Sequence, residues 1–162
     1  VLQHMDFGGE VSEAGIRSQL EGMVKAELLT EVQAGYVDIR RIIRFMNSDL
    51  GRSMIKAGRL YREAPFTMEV ECAEVFGSII GCGSEGETVV LQGIIDCWFE
   101  EEGKLVLVDY KTDYVTYGEL GQIKERYRTQ IEYYSRALEQ ITGKEISAKY
   151  IYLFCNGEIL KY

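Results

Sequence analysis

The chain has 162 residues, 46% of them hydrophobic and 27% charged, enough for one folded domain with a sizeable core. No apolar run approaches the roughly 20 residues of a membrane span, and no signal-peptide pattern is present. The net charge of −8 argues mildly against nucleic acid as a partner, because phosphate binding needs positive surface.

That charge is uneven. Arg40, Arg41, Arg44, Arg52, Lys56, Arg59 and Arg62 share their stretch with a single acid, Asp49, and Lys124, Arg126 and Arg128 form a second basic group. Local patches of this kind matter more than the sum.

In chain order, VLQHM (1–5) reads as the middle of a helix, so the chain is read as a fragment of a longer protein. Residues 10–28 place Val11, Ile16, Leu20, Met23 and Leu28 at helical spacing. Thr30 with Gln33 forms a capping-box pattern that opens a short helix. Asp38 is positioned to cap the next helix, which carries Ile39, Ile42, Ile43 and Phe45, and Ser48 or Asp49 restarts a helix that ends near Gly58. Residues 1–60 are therefore expected to be mainly helical.

Pro65 marks the change to extended chain. Residues 66–76 alternate apolar and polar, as a half-exposed strand does, and GCGSEGE (81–87) reads as a turn. Strands are predicted over 88–99 and 104–110, joined at EEEG as a hairpin. The longest helix spans 119–142 and stops at Gly143. A strand over 146–154 and a short final strand after NGE complete the chain.

This order predicts an α/β domain: one mixed β-sheet flanked by helices, with a helical N-terminal part and a sheet-plus-helix core over 61–162. The hairpins are antiparallel, and the crossover through 119–142 permits a parallel pair. The four cysteines include no CxxC pair, which disfavours a zinc or cluster site. Cys97 and Cys155 lie in apolar strands as buried reduced thiols, which fits a reducing cytoplasm.

Charges interrupt the two central strands. Asp96 breaks the run GIIDCWF, and Asp109 and Lys111, two residues apart at the end of KLVLVDYK, point to one face. A small stagger across the hairpin brings Asp96 near them. Two carboxylates that close repel unless a cation sits between them, and carboxylates with water are the ligands Mg²⁺ prefers. Lys111 could orient a water or balance charge on an anionic transition state. Gly93 allows a bend or a close backbone approach.

On the long helix, Ile123, Tyr127, Tyr134, Leu138 and Ile141 form an apolar stripe with Gln130 at its edge and Arg126 beside it. Thr112 and Asp113 need only capping or solvation. Glu63, Glu69, Glu71 and Glu74 read as solvent-facing, with one of them able to reach a metal from a neighbouring strand, and Trp98 and most tyrosines read as core or interface residues, base stacking being the alternative.

G-x-x-D (Gly93 to Asp96), D-Y-K-T (Asp109 to Thr112) and Q-x-x-x-Y (Gln130 to Tyr134) follow one another, with YREAPF (61–66) ahead and RYRTQIEYYSRALE (126–139) around the last. This series resembles the RecB-type nucleases of the PD-(D/E)xK superfamily, which have the restriction-endonuclease-like fold. It is most similar to the C-terminal nuclease domains of bacterial helicase–nucleases of the AddAB type.

The resemblance implies that Asp96, Asp109 and the backbone carbonyl of Tyr110 hold Mg²⁺ or Mn²⁺ and that Lys111 is the catalytic lysine. Gln130 and Tyr134 would be the accessory pair, with Arg126 and Arg128 as further candidate DNA contacts. It implies a metal-dependent DNA exonuclease in the bacterial cytoplasm, acting in double-strand break repair on single-stranded DNA. A helicase part of the same parent chain would deliver that DNA, beside a second, AddB-like nuclease partner and with no membrane partner. The chain has no GxxxxGK[ST] loop and is not itself the motor. The family's G-T-x-x-H histidine is expected on the helix just before Val1, which leaves His4 an ordinary helix residue. The rival readings are a stand-alone RecB-like or phage exonuclease, a catalytically silent DNA-binding or scaffolding module of the same fold, and a plain protein-interaction domain.

Overall fold

The computed structural model of the chain describes residues 1–76 and 86–162. Most of the turn expected over 81–87 lies outside these residues.

Four helices come first: α1 (Glu13–Lys25), α2 (Glu31–Gly35), α3 (Ile39–Asn47) and α4 (Asp49–Ala57). Each begins where a side chain satisfies backbone N–H groups that have no partner within the helix. Ser12 accepts from Gly15, Thr30 and Gln33 form a reciprocal capping box, Asp38 accepts from Arg40 and Arg41, and Ser48 accepts from Gly51. Helix α1 ends before Leu28, because Glu27 turns left-handed at φ +57°. The N–H groups of Leu28 and Glu27 then close back on the carbonyls of Met23 and Val24. Leu28 is left 48% exposed, outside the stripe expected to bury it.

The N-terminal segment departs from the sequence reading. Residues 2–4 form a turn, and His4 is exposed. The Arg62 guanidinium takes the carbonyls of Leu2 and Met5 at 2.9 and 2.6 Å, which removes them from any helical ladder.

Strand β1 (Leu60–Glu71) starts six residues before the expected one and ends at Glu71, where the chain turns into the short helix α5 (Cys72–Phe76). Its early start follows from the length of β2 (Thr88–Glu101), which gives Leu60 to Ala64 partners from Phe99 to Ile95. Pro65 is tolerated inside β1 because that strand forms the sheet edge. Strand β3 (Lys104–Lys111) follows a two-residue turn in which Glu102 (φ +52°) and Gly103 (φ +78°) are both left-handed, the primed geometry that tight hairpins favour. Helix α6 (Leu120–Thr142) ends on left-handed Gly143, and β4 (Ile146–Leu153) and β5 (Ile159–Lys161) complete the chain.

The sheet order is β1-β2-β3-β4-β5. All neighbours are antiparallel except β3 and β4, which α6 connects as a parallel pair. This is a mixed sheet between two helical layers, consistent with the restriction-endonuclease-like fold. On one face, α1, α3 and α4 bury Ile16, Leu20, Phe45, Met46 and Met54 against Cys97, Phe99, Val106, Val108 and Tyr152. Phe45 is the hub, with its ring 4.6 Å from that of Tyr152 and 5.4 Å from that of Tyr110. On the other face, α6 places Ile123, Ile131 and Leu138 over Ile95, Leu105, Leu107 and Ile151.

The stripe on α6 thus includes Ile131, while Ile141, one turn past the last buried residues, is 60% exposed. Trp98 is buried and stacks on Tyr61 at 3.8 Å, as a core residue. Cys97 is a buried free thiol, Cys155 a half-buried one, and Cys72 is disulfide-bonded. Among the described residues, no helix is long and apolar enough to cross a membrane.

Gly93 sits beneath the Phe66 ring, where an added Cβ would lie 2.6 Å from the ring edge. Phe66 cannot swing away freely, because it is 5% exposed and packs edge-on to Tyr134 at 5.5 Å. Gly93→Ala is therefore expected to cost about 1–3 kcal/mol by overpacking, with part of the loss recovered in Gly93→Ala/Phe66→Leu. Urea unfolding of the single and double variants measures both effects.

Candidate active site

The sheet comes apart where the charged residues lie. The β2–β3 ladder runs from Glu101 opposite Lys104 to Cys97 opposite Val108 and stops there. The next rung would set Asp96 opposite Asp109. Instead, β2 continues toward Thr88 paired with β1, and β3 continues to Lys111 paired with β4. A continued ladder would bond the N–H of Tyr110 to the β2 backbone; here it donates to Asp96 Oδ2 at 2.9 Å. The N–H and C=O of a strand residue point to the same side, so the Tyr110 carbonyl is also turned toward the split.

Strand β2 turns over at the same point. Val89, Leu91 and Ile95 pack on the α6 side, and Cys97 and Phe99 on the opposite side. Residues two apart on a regular strand would share a face. Across from Asp96, Glu63 takes the left-handed region at φ +49°, and the β1–β2 register passes over that pair. A non-glycine residue there is strained. Glu63 and Asp96 line a cleft of about 440 Å³ with Arg41, Arg62, Tyr110 and Thr112. A larger hollow of about 780 Å³ between α1, α2 and α3 contains none of the candidate residues.

Asp109 is fully buried, on the α6 side with Leu105 and Leu107. The Lys111 ammonium approaches its Oδ2 to 2.8 Å, outside hydrogen-bond geometry, so neither carboxylate oxygen has a hydrogen-bond partner among the described residues. Burial raises the Asp109 pKa to about 6, against the opposing pull of Lys111; Asp96 adds a smaller push upward. Burial pulls the Lys111 ammonium down, but Asp109 and Asp96 outweigh it, and its pKa ends above the ordinary value. The lysine is cationic at neutral pH, while its partner is held close to its protonation point.

Helix α6 supplies the wall over Asp109 and Lys111. Gln130 donates to the Tyr134 hydroxyl at 2.7 Å, as expected of side chains four apart on a helix. Burial raises the Tyr134 pKa, with Asp109 and Asp96 contributing. Tyr127 lies under Lys111, with the ammonium 4.5 Å from the ring centroid, and its hydroxyl donates to Asp113 Oδ2 at 3.0 Å.

Asp113, read from sequence as needing only solvation, thus joins the loop after β3 to α6, and Arg126 reaches its Oδ1 at 3.5 Å. Arg128 is placed apart from this group, in an exposed pair with Glu125 at 2.8 Å. Much of the basic stretch 40–62 is engaged locally: Arg41 pairs with Asp38, Arg52 with Asp49, and Arg59 lies over Tyr61.

Asp96, Asp109 and the Tyr110 carbonyl offer oxygen donors only, the kind a hard divalent cation takes. The orphaned oxygens of Asp109 fit such a cation. No group of three His, Cys, Asp or Glu side chains is placed to hold a metal among the described residues.

A profile described as the PD-(D/E)XK nuclease superfamily matches residues 8–161. The A-type subunit of the ATP-dependent helicase/nuclease of Ruminiclostridium cellulolyticum is 47% identical over 161 residues, covering 99% of this chain and 13% of that protein. Its counterpart in Acetivibrio thermocellus is 50% identical over 162 residues, covering 100% and 13%. The chain therefore spans 13% of the length of these relatives. A solved structure titled "Crystal structure of SSO0001" aligns over 96% of this chain and 63% of that one, with TM-score 0.43 and 14% identity, a likeness too weak to bear on the fold.

A carboxyl group whose folded pKa lies above its unfolded value, about 3.9 for Asp, binds more protons folded than unfolded between the two. Stability contributed by Asp109 therefore falls as pH rises from about 4 to about 6, by up to about 3 kcal/mol, and stays lower above that range. In metal-free buffer, the stability of Asp109→Asn relative to wild type should rise by about 1–3 kcal/mol between pH 4 and pH 7. Urea unfolding across that range checks this, and a difference flat with pH would rule out Asp109 as the titrating group.

Proposed function

The chain belongs to the PD-(D/E)XK nuclease superfamily, and from that premise we propose that it is a metal-dependent DNA exonuclease domain that hydrolyses phosphodiester bonds. The observation that carries this reading is the parted rung: two carboxylates at the point where β2 leaves β3, one of them fully buried with the Lys111 ammonium 2.8 Å away.

In this reading Asp96, Asp109 and the Tyr110 carbonyl hold Mg²⁺ or Mn²⁺. Oxygen donors this few leave the remaining positions to water, which Mg²⁺ retains readily. A cation bound there supplies Lewis-acid polarisation of the phosphate and a more acidic water. The Tyr110 N–H fixes Asp96 through Oδ2, which leaves Oδ1 for the cation. Lys111 sets a fixed positive charge beside Asp109, where a phosphate under attack gathers negative charge. Gln130 and Tyr134 buttress the buried side, and Arg126 and Arg128 are candidate backbone contacts.

That the relatives are named as helicase/nucleases supports placing this domain in a longer chain of AddA type; its place at the C-terminal end of that chain is proposed from the motif resemblance alone. There a helicase part would deliver single-stranded DNA beside an AddB-like partner, during double-strand break repair in the bacterial cytoplasm. The second reading is a catalytically silent DNA-binding or scaffolding module of this fold.

Calorimetry with Mg²⁺ and Mn²⁺, alongside cleavage of a single-stranded oligonucleotide, separates the two. Wild type is expected to bind the metal and Asp96→Ala to lose that binding. Asp109→Ala and Lys111→Ala should cut at least about 100-fold more slowly with unchanged far-UV circular dichroism. Normal cutting by both variants would sink the site assignment. A chain that neither binds metal nor cuts is either the silent module or one that needs the histidine expected ahead of Val1, and a chain extended by that helix separates the two.

A further inference from the structure

We propose that Tyr127 is a positioning residue for Lys111: its ring is a second anchor for the ammonium, one that stays in place when the Asp109 carboxylate is drawn onto a cation. The inference rests on the reading of Lys111 as the catalytic lysine.

The Lys111 side chain is only 15% exposed, and its ammonium lies 2.8 Å from Asp109 Oδ2 and over the face of Tyr127, 4.5 Å from the ring centroid. The two differ in kind. The carboxylate is also a donor for the proposed cation, and oxygen lone pairs turned to a metal attract the ammonium less. A lysine held by that carboxylate alone would be released, or repelled by the incoming positive charge, just when it is needed. The ring carries no ligand atom facing the split, so its attraction for the ammonium does not compete with metal binding.

The ring is itself held in place. The Tyr127 hydroxyl donates to Asp113 Oδ2 at 3.0 Å, and Arg126 lies 3.5 Å from Asp113 Oδ1. Asp113 is two residues beyond Lys111 in the chain, so the same short loop that follows the lysine clamps the ring beneath it.

Two readouts test this on the chain. The Lys111 ammonium lies over the ring face, so in NMR the protons of the adjoining ε-carbon should resonate upfield of those of other lysines. The upfield shift should survive in Asp109→Asn and in Tyr127→Phe, survive Mg²⁺ addition to wild type, and vanish in Tyr127→Leu. In cleavage of a single-stranded oligonucleotide, Tyr127→Leu should lose at least about tenfold in kcat with KM within about twofold, and Tyr127→Phe should recover to within about threefold of wild type.

A shift that disappears in Asp109→Asn or on Mg²⁺ addition, or that persists in Tyr127→Leu, overturns the proposal. So does a wild-type kcat in Tyr127→Leu beside an inactive Lys111→Ala. Wild-type kcat in Lys111→Ala instead removes the lysine from the proposed chemistry, and the NMR arm alone then decides whether the ring is the anchor. If Tyr127→Leu does not fold, Tyr127→Met, which also lacks the ring, takes its place.

Discussion

One hydrogen bond defines the centre of this structure: the Tyr110 N–H donating to Asp96 Oδ2. A buried backbone N–H must find an acceptor. In a continuous sheet the neighbouring strand supplies it, and here a side chain does. That substitution lets β2 leave β3 without leaving this donor unpaired. It also fixes Asp96 at the split and turns the Tyr110 carbonyl the same way. The functional geometry follows from how the sheet ends its pairing rather than from a loop laid on top of it.

The two helical layers enforce the split from opposite sides. Beyond Asp96 the apolar residues of β2 belong to the α6 face, and before Phe99 they have crossed to the α1/α3/α4 face. The turnover requires an irregular pair, and Glu63 in left-handed backbone provides it. Phe66 over Gly93, with Tyr134 edge-on to Phe66, holds the diverging hairpin against α6. The motif residues Gly93 and Tyr134 are thereby mechanically connected although neither carries charge.

Burial of Asp109 is destabilising. A carboxylate taken out of water without hydrogen bonds is costly, and the raised pKa expresses that cost. The Lys111 ammonium offsets part of it. A fold selected for stability alone would place an apolar residue there, as it does at Leu105 and Leu107 on the same face. Conflict between local burial and local polarity marks a functional or strained site, which the proposed function assigns to a cation.

Much of this was legible in the amino-acid order. Caps at Thr30, Asp38 and Ser48, the EEEG hairpin, the stop at Gly143 and the parallel crossover through α6 follow from short-range chemistry, in which the determining residues lie within a few positions of one another. The polar interruptions at Asp96, Asp109 and Lys111 were visible because they break apolar strand runs.

The misplaced readings depended on distant partners. VLQHM forms a turn because Arg62, some sixty positions away, takes its carbonyls. Strand β1 begins at Leu60 because β2 is long enough to pair with it. Asp113 and Tyr127 read as a solvated acid and a core aromatic until α6 docked beside the β3 loop. The sequence by itself determined most of the helices and strands and which charges would be out of place in them. Only the tertiary structure decided where the ladder breaks, which face β2 shows on either side of Asp96, and what lies beneath Lys111. Those are set by packing between elements far apart in the chain, which no local spacing encodes.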